Sequence, residues 1–67
     1  MELIRYILMY EGKVEHDFKS FKSRPNLGEF ISIEKEMECL NYKVEFVQYF
    51  FNENKDPQYI MVTAIRE

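Results

Sequence analysis

Apolar residues fall into five segments along the chain, separated by polar breaks that carry its glycines and prolines. The first, "LIRYILMY" (residues 3–10), sets Ile4, Tyr6, Leu8 and Tyr10 on one side of an extended chain and Leu3, Ile7 and Met9 on the other, with Arg5 its single charge. Apolar residues at both parities are the pattern of a strand buried on most of both faces. Glu11-Gly12 follows, and glycine tolerates the positive φ that a tight hairpin demands. Residues 13–22 therefore read as a returning strand, with Met9 opposite Val14, Ile7 opposite His16 and Arg5 opposite Phe18. The same stretch also fits a helix, because Val14, Phe18 and Phe21 recur at i, i+4 and i+7. The turn and the preceding strand favour the hairpin.

"SRPNLGEF" (residues 23–30) is the firmest break. Pro25 gives no amide proton to a sheet and disfavours helix at Arg24, while Asn26 and Gly28 can take left-handed backbone angles. The stretch reads as a corner between a first hairpin and a second section of sheet. After it, Phe30, Ile31 and Ile33 restart an extended segment. Residues 34–41 fit either a single helical turn, from the spacing of Ile33, Met37 and Leu40, or a twisted, charged hairpin tip. "YKVEFVQYFF" (residues 42–51) is a strand in which Tyr42 and Val44 share one parity and Val47 and Tyr49 the other. A β-bulge near Glu45-Phe46 would bring all four to one face and bend the strand. A polar loop with Pro57 near its end leads to the last strand, "YIMVTAI" (residues 59–65).

These segments predict a single all-β domain over residues 1–67, with at most one short helical turn: a five-stranded, strongly bent antiparallel sheet or small barrel. A hairpin, a corner and a three-stranded meander is an order that resembles the small SH3-like β-barrels. The stretches that carry the resemblance are "RPNLGEFISI", "YKVEFVQY" and "YIMVTAI", over about residues 24–65. The compact, Lys-, Asn- and Phe-rich chain looks like a bacterial or phage product. The resemblance implies a free-standing module that modulates a host protein. The chain lacks the aromatic and acidic loop signatures of the proline-peptide-binding branch, and it has no tryptophan.

Composition sharpens this picture. A chain of 67 residues buries only about 60% of the surface its unfolded form exposes, so something must supplement its core. Cys39 is its one cysteine and His16 its one histidine, which leaves neither a disulfide nor a metal cage to do so. Dense aromatic packing and self-association remain, and six Phe and five Tyr supply the rings. No metal or cofactor is expected. A lone thiol without a secretory signal points to a cytoplasmic setting, and the apolar runs are too short to cross a bilayer.

The formal net charge of −3 argues against indiscriminate binding to nucleic acid. Its distribution is uneven: Lys13, Lys19, Lys22 and Arg24 outweigh Glu15 and Asp17 in residues 13–24, whereas Glu29, Glu34, Glu36 and Glu38 outweigh Lys35 in residues 29–38. No catalytic constellation emerges. His16 and Asp17 are neighbours, and neighbours in a strand point to opposite faces. Cys39, beside Leu40, is expected to be a buried or half-buried thiol. The chain is therefore expected to be no enzyme but a protein-binding or regulatory module that also self-associates. Its candidate contact residues are Tyr10, Tyr42, Tyr49, Phe51 and Tyr59, a surplus of rings beyond what one small core holds, with Arg24 and Asn26 in the corner. Two alternatives stand beside it. One is a nucleic-acid-binding barrel that uses Lys19, Lys22, Arg24 and Phe21; the other is a structural subunit of an assembly.

Overall fold

The computed structural model describes residues 2–67, and all of their side chains except those of Glu2 and Lys22. The described residues form five strands and no helix: β1 (Glu2–Tyr10), β2 (Lys13–Lys22), β3 (Phe30–Lys35), β4 (Glu38–Phe51) and β5 (Pro57–Arg66). They make one sheet in the order β2-β1-β5-β4-β3. The hairpin β1–β2 and the meander β3–β4–β5 are antiparallel within themselves, and a parallel β1–β5 pair joins them. The sheet is thus mixed at one seam. The hairpin delivers the chain to one edge, β2, and residues 23–29 carry it to the opposite edge, β3, so that β5 arrives beside β1 running in the same direction.

The sheet curls through 218° into a half-barrel. Among the described residues no second layer covers it, so the burial of its inner face comes from the curl itself. Ile4, Tyr6 and Leu8 of β1, Tyr42 and Val44 of β4, and Ile60, Val62 and Ala64 of β5 form this core, with Ile31, Ile33, Leu40 and Val47 packed against it.

Bulges produce the bend, since each extra residue increases the local twist. Glu45 is the extra residue of β4, because Val44 pairs with Ala64 and Phe46 with Thr63. This is the bulge that the parity change in 42–51 implied, and it turns Val47 toward the same core as Tyr42 and Val44. Gln58 plays the same part near the start of β5, between the pairs Phe50–Tyr59 and Phe51–Pro57.

A third bulge alters the expected hairpin register. Glu11 and Gly12 both take positive φ, 49° and 76°, the pair of angles a type I′ turn requires. Met9 then faces Val14 as the two-residue turn dictates. Glu15 is left unpaired, however, so His16 faces Leu8 rather than Ile7, and Phe18 faces Tyr6 rather than Arg5. The shift moves His16 and Phe18 to the inner side, where Phe18 stacks on Tyr6 at 5.0 Å between ring centroids. The helical alternative for residues 13–22 is not realised. Nor is the helical turn in 34–41: Lys35 pairs with Glu38 and the chain reverses over Glu36-Met37, leaving the Met37 side chain in solvent.

The corner behaves as its residues imply. Asn26 to Glu29 form a turn closed by the Glu29 amide on the Asn26 carbonyl at 3.2 Å, and Gly28 holds φ 86° at its third position, where a type II turn needs a positive angle. The Gly28 amide then donates to the Val44 carbonyl at 2.9 Å and the Val44 amide to the Glu29 carbonyl at 2.8 Å. The loop is therefore sewn to β4 before β3 begins.

Candidate protein-binding surface

The candidate contact residues divide by position. Tyr42 does not face a partner: it is 0% exposed in the core, because β4's inward parity carries its ring into the bore of the curl. There its hydroxyl donates to Glu15 Oε1 at 2.7 Å. Arg66 Nη1 reaches both Glu15 oxygens at 3.2 Å, and its guanidinium carbon lies 3.9 Å from the centroid of the Tyr10 ring. Glu15 is the bulged residue of β2, and neither Tyr42 nor Arg66 lies on a strand adjacent to it. The bulge thus aims a carboxylate across the inside of the half-barrel and ties β2 to β4 and β5. His16 sets its ring edge-on to Tyr42 at 6.2 Å, a packing position.

These contacts shift proton affinities. The Tyr42 hydroxyl bond, aided by Arg66 and opposed by burial, holds the Glu15 carboxyl below its ordinary range. Burial first, and then the Glu15 charge, pushes the Tyr42 hydroxyl up. On the outer face, Arg5 Nε and Nη2 donate to the two Asp17 oxygens at 3.0 and 2.7 Å, and this fork lowers the Asp17 carboxyl and raises Arg5. Both carboxyls are depressed in the fold. Their stabilising contribution is complete above the unfolded-state value near pH 4 to 4.5 and is lost as pH falls through the lower folded values. The midpoint of thermal unfolding is therefore expected to fall modestly below about pH 4.5, both carboxyls being solvent-screened. In the double variant Glu15→Gln, Asp17→Asn it should be lower at pH 7 and flatter with pH. An acid limb unchanged in the variant would disprove this assignment.

Tyr49, Phe51 and Tyr59 do come together. With Leu3, Phe50 and Ile60 they line an apolar hollow of about 200 Å³ at the Asn52 end of the β4–β5 hairpin. Phe50 stacks on Tyr59 at 4.8 Å, while Tyr49 and Phe51 stay more than half exposed. Tyr10 lies at the far end of β1, clamped by Arg66. Arg24 lies with its guanidinium 5.6 Å from the centroid of Tyr49, and Asn26 sits in the corner turn, its amide donating to the Glu29 carboxylate. Both corner residues therefore have structural roles close to home. Of the residues of the nucleic-acid alternative, Lys19 and Phe21 are exposed on β2; the Lys22 side chain lies outside the described ones. Cys39 is exposed rather than buried, because Leu40 takes the inward position beside it.

A second apolar surface lies outside the candidate rings. On the outer face the register aligns Val14, Met9 and Ile65 in one row across β2, β1 and β5. Ile7, Thr63 and Phe46 fall in the next row across β1, β5 and β4, Arg5 and Met61 in the third, and Phe21, Leu3, Tyr59 and Phe50 in the last. Val14, Phe21 and Phe46 are 55%, 62% and 59% exposed. Asp17 ends the second row, and the third is completed by Lys19 and Gln48, so Met61 is the apolar link between the first two rows and the aromatic hollow that Leu3, Phe50 and Tyr59 help to line. The signal of this surface was present in the two-sided apolar pattern of β1, which anticipated burial on most of both faces; the fold buries one.

Among the described residues no group of three His, Cys, Asp or Glu side chains converges as a metal site requires, and no helix is long and apolar enough to cross a membrane. Compared with family models, with curated proteins and with solved structures, the chain matches none.

Proposed function

We propose that this chain is a small non-enzymatic protein-binding module whose contact surface is the outer face of β1 and β5, running into the aromatic hollow formed by Tyr49, Phe51 and Tyr59. The observation that carries the reading is the largely apolar outer face of the adjacent strands β1 and β5, left uncovered while the other face of the same strands forms the core. Contiguous exposed apolar surface of this kind marks interaction sites, and large rings at its margin are the usual anchors. In this reading the half-barrel acts as small SH3-like barrels of bacterial or phage type do, as a rigid carrier of a surface that engages and regulates another protein.

The test is capture from lysate with the wild type and with Phe46→Glu, Ile65→Glu, both positions being exposed and outside the core. The double variant is expected to keep the wild-type circular dichroism spectrum and melting temperature within a few degrees, and to lose the captured protein. Arg24→Ala and Asn26→Ala should retain it. Undiminished capture by the folded outer-face variant would refute the proposed surface.

A further inference from the structure

A monomeric protein of 8.2 kDa is expected to expose about 4,500 Å². This chain exposes 5177 Å², roughly 650 Å² more, close to the approximately 800 Å² that each partner contributes to a standard interface. Its Cα radius of gyration, 12.7 Å, likewise exceeds the roughly 11 Å of a globular chain of this length. The molecule thus carries about one interface side of surface in excess.

The arrangement of charge on the outer face bears on what covers it. Along the outer side of β2, Asp17 and Lys19 are successive positions that flank the level of Phe18, and on β1 Ile7 and Arg5 flank the same level at Tyr6. The apolar residues lie beyond them at both ends: Met9 and Val14 at one, Leu3 and Phe21 at the other. Reversed end for end, the pattern superposes on itself. Apolar end lies over apolar end, Asp17 over Lys19, and Arg5, already paired with Asp17 of its own chain, over Ile7.

Resting on the protein-binding reading above, we propose that, until another protein takes it, this face is occupied by a second copy of the chain, packed sheet on sheet about a two-fold axis perpendicular to the strands at the level of Tyr6 and Phe18. Such an axis sets β1 over β1 and β2 over β2 in opposite directions. Met9 then meets Leu3 of the second copy, Val14 meets Phe21, and Asp17 comes over Lys19, each contact occurring twice as isologous symmetry requires. Because the sheet is curled, the contact is the ridge formed by β2, β1 and β5, with Phe46 and Phe50 on its flank. Arg5 enters already neutralised by its fork to Asp17, which spares the interface an unpaired charge. The Asp17–Lys19 pairing adds selection for this register, since any displacement of one row sets like charges together.

Sedimentation equilibrium between 1 and 200 μM tests the proposal with the intact chain. The wild type is expected to sediment at twice 8.2 kDa in the upper part of that range. Lys19→Glu keeps both Arg5 and Asp17 but sets Glu over Asp17 at two symmetric places, and should weaken the dimer at least tenfold; because the new carboxylate also lies opposite Arg5, the dilute monomer should melt no lower than wild type. The exchange Asp17→Lys, Lys19→Asp keeps an acid opposite Arg5 and recreates both intermolecular pairs, and should restore the constant to within about threefold of wild type. A wild type that stays monomeric at 200 μM overturns the self-association. A dimer indifferent to Lys19→Glu overturns this geometry. Either failure is distinct from that of the protein-binding reading, which falls only if the Phe46, Ile65 variant still captures its partner.

Discussion

Tyr42→Ala is expected to remove most of the stability of this domain. The ring is fully buried in the bore of the half-barrel and its hydroxyl anchors the tie to Glu15. Truncating a buried aromatic to alanine costs about 3 to 5 kcal/mol, and a domain of this length commands only about 3 to 10 kcal/mol in total. The loss is compounded because no neighbouring layer can move in to fill the space: the core is one face of one sheet. Tyr42→Phe separates the two contributions. It keeps the ring, leaves Glu15 bound to Arg66, and should cost about 1.5 kcal/mol, the scale of a hydrogen bond to a charged group. Urea denaturation of the three proteins at pH 7 measures both differences. A Tyr42→Ala midpoint within 0.5 M of wild type would show that the curl does not depend on this ring.

Gly28→Val is the second large effect. Gly28 holds φ 86°, and a Cβ built there meets no atom within 4 Å, so crowding contributes nothing and the whole cost is backbone. A β-branched residue in that region is strained by about 1 to 3 kcal/mol. The alternative open to the chain is to abandon the angle, which would break the bond from the Gly28 amide to Val44 and release the corner from β4. Either way the midpoint of thermal unfolding should fall by about 5 to 20 °C. Gly28→Ala should fall between wild type and valine. Gly28→Asn, a residue that tolerates the left-handed region, should recover part of the loss. Equal stability for valine and glycine would mean that the corner can close by another route.

The extended segments at residues 3–10, 42–51 and 59–65 and the corner were legible in the sequence because each rests on local physics, whereas residues 13–22 and 34–41 fitted a helix as well as a strand. Pro25 and Gly28 forbid regular structure whatever surrounds them, Glu11-Gly12 meets the angles of one turn type, and the parity change between Val44 and Val47 has one economical solution, the bulge at Glu45. Those features need no knowledge of distant residues. They establish an all-β chain made of a hairpin, a corner and a meander.

What only the tertiary structure decided depends on contacts far apart in sequence. The parallel seam between β1 and β5 has no local signature, since a strand's own pattern does not say which neighbour it takes or in which sense. The bulge at Glu15 was invisible for the same reason: it is justified by Tyr42 and Arg66, which lie 27 and 51 residues away. That one unpaired residue reversed the facing of His16 and Phe18. The fate of the rings followed suit, with Tyr42 taken into the core, Tyr10 clamped by Arg66, and Tyr49, Phe51 and Tyr59 gathered at the end of a hairpin. Sequence alone determined that β1 and β5 are apolar on both sides. Which side would be buried, and that the other would be left open for a partner, was decided by the direction in which the sheet curls, because a single curled layer can enclose only one of its faces.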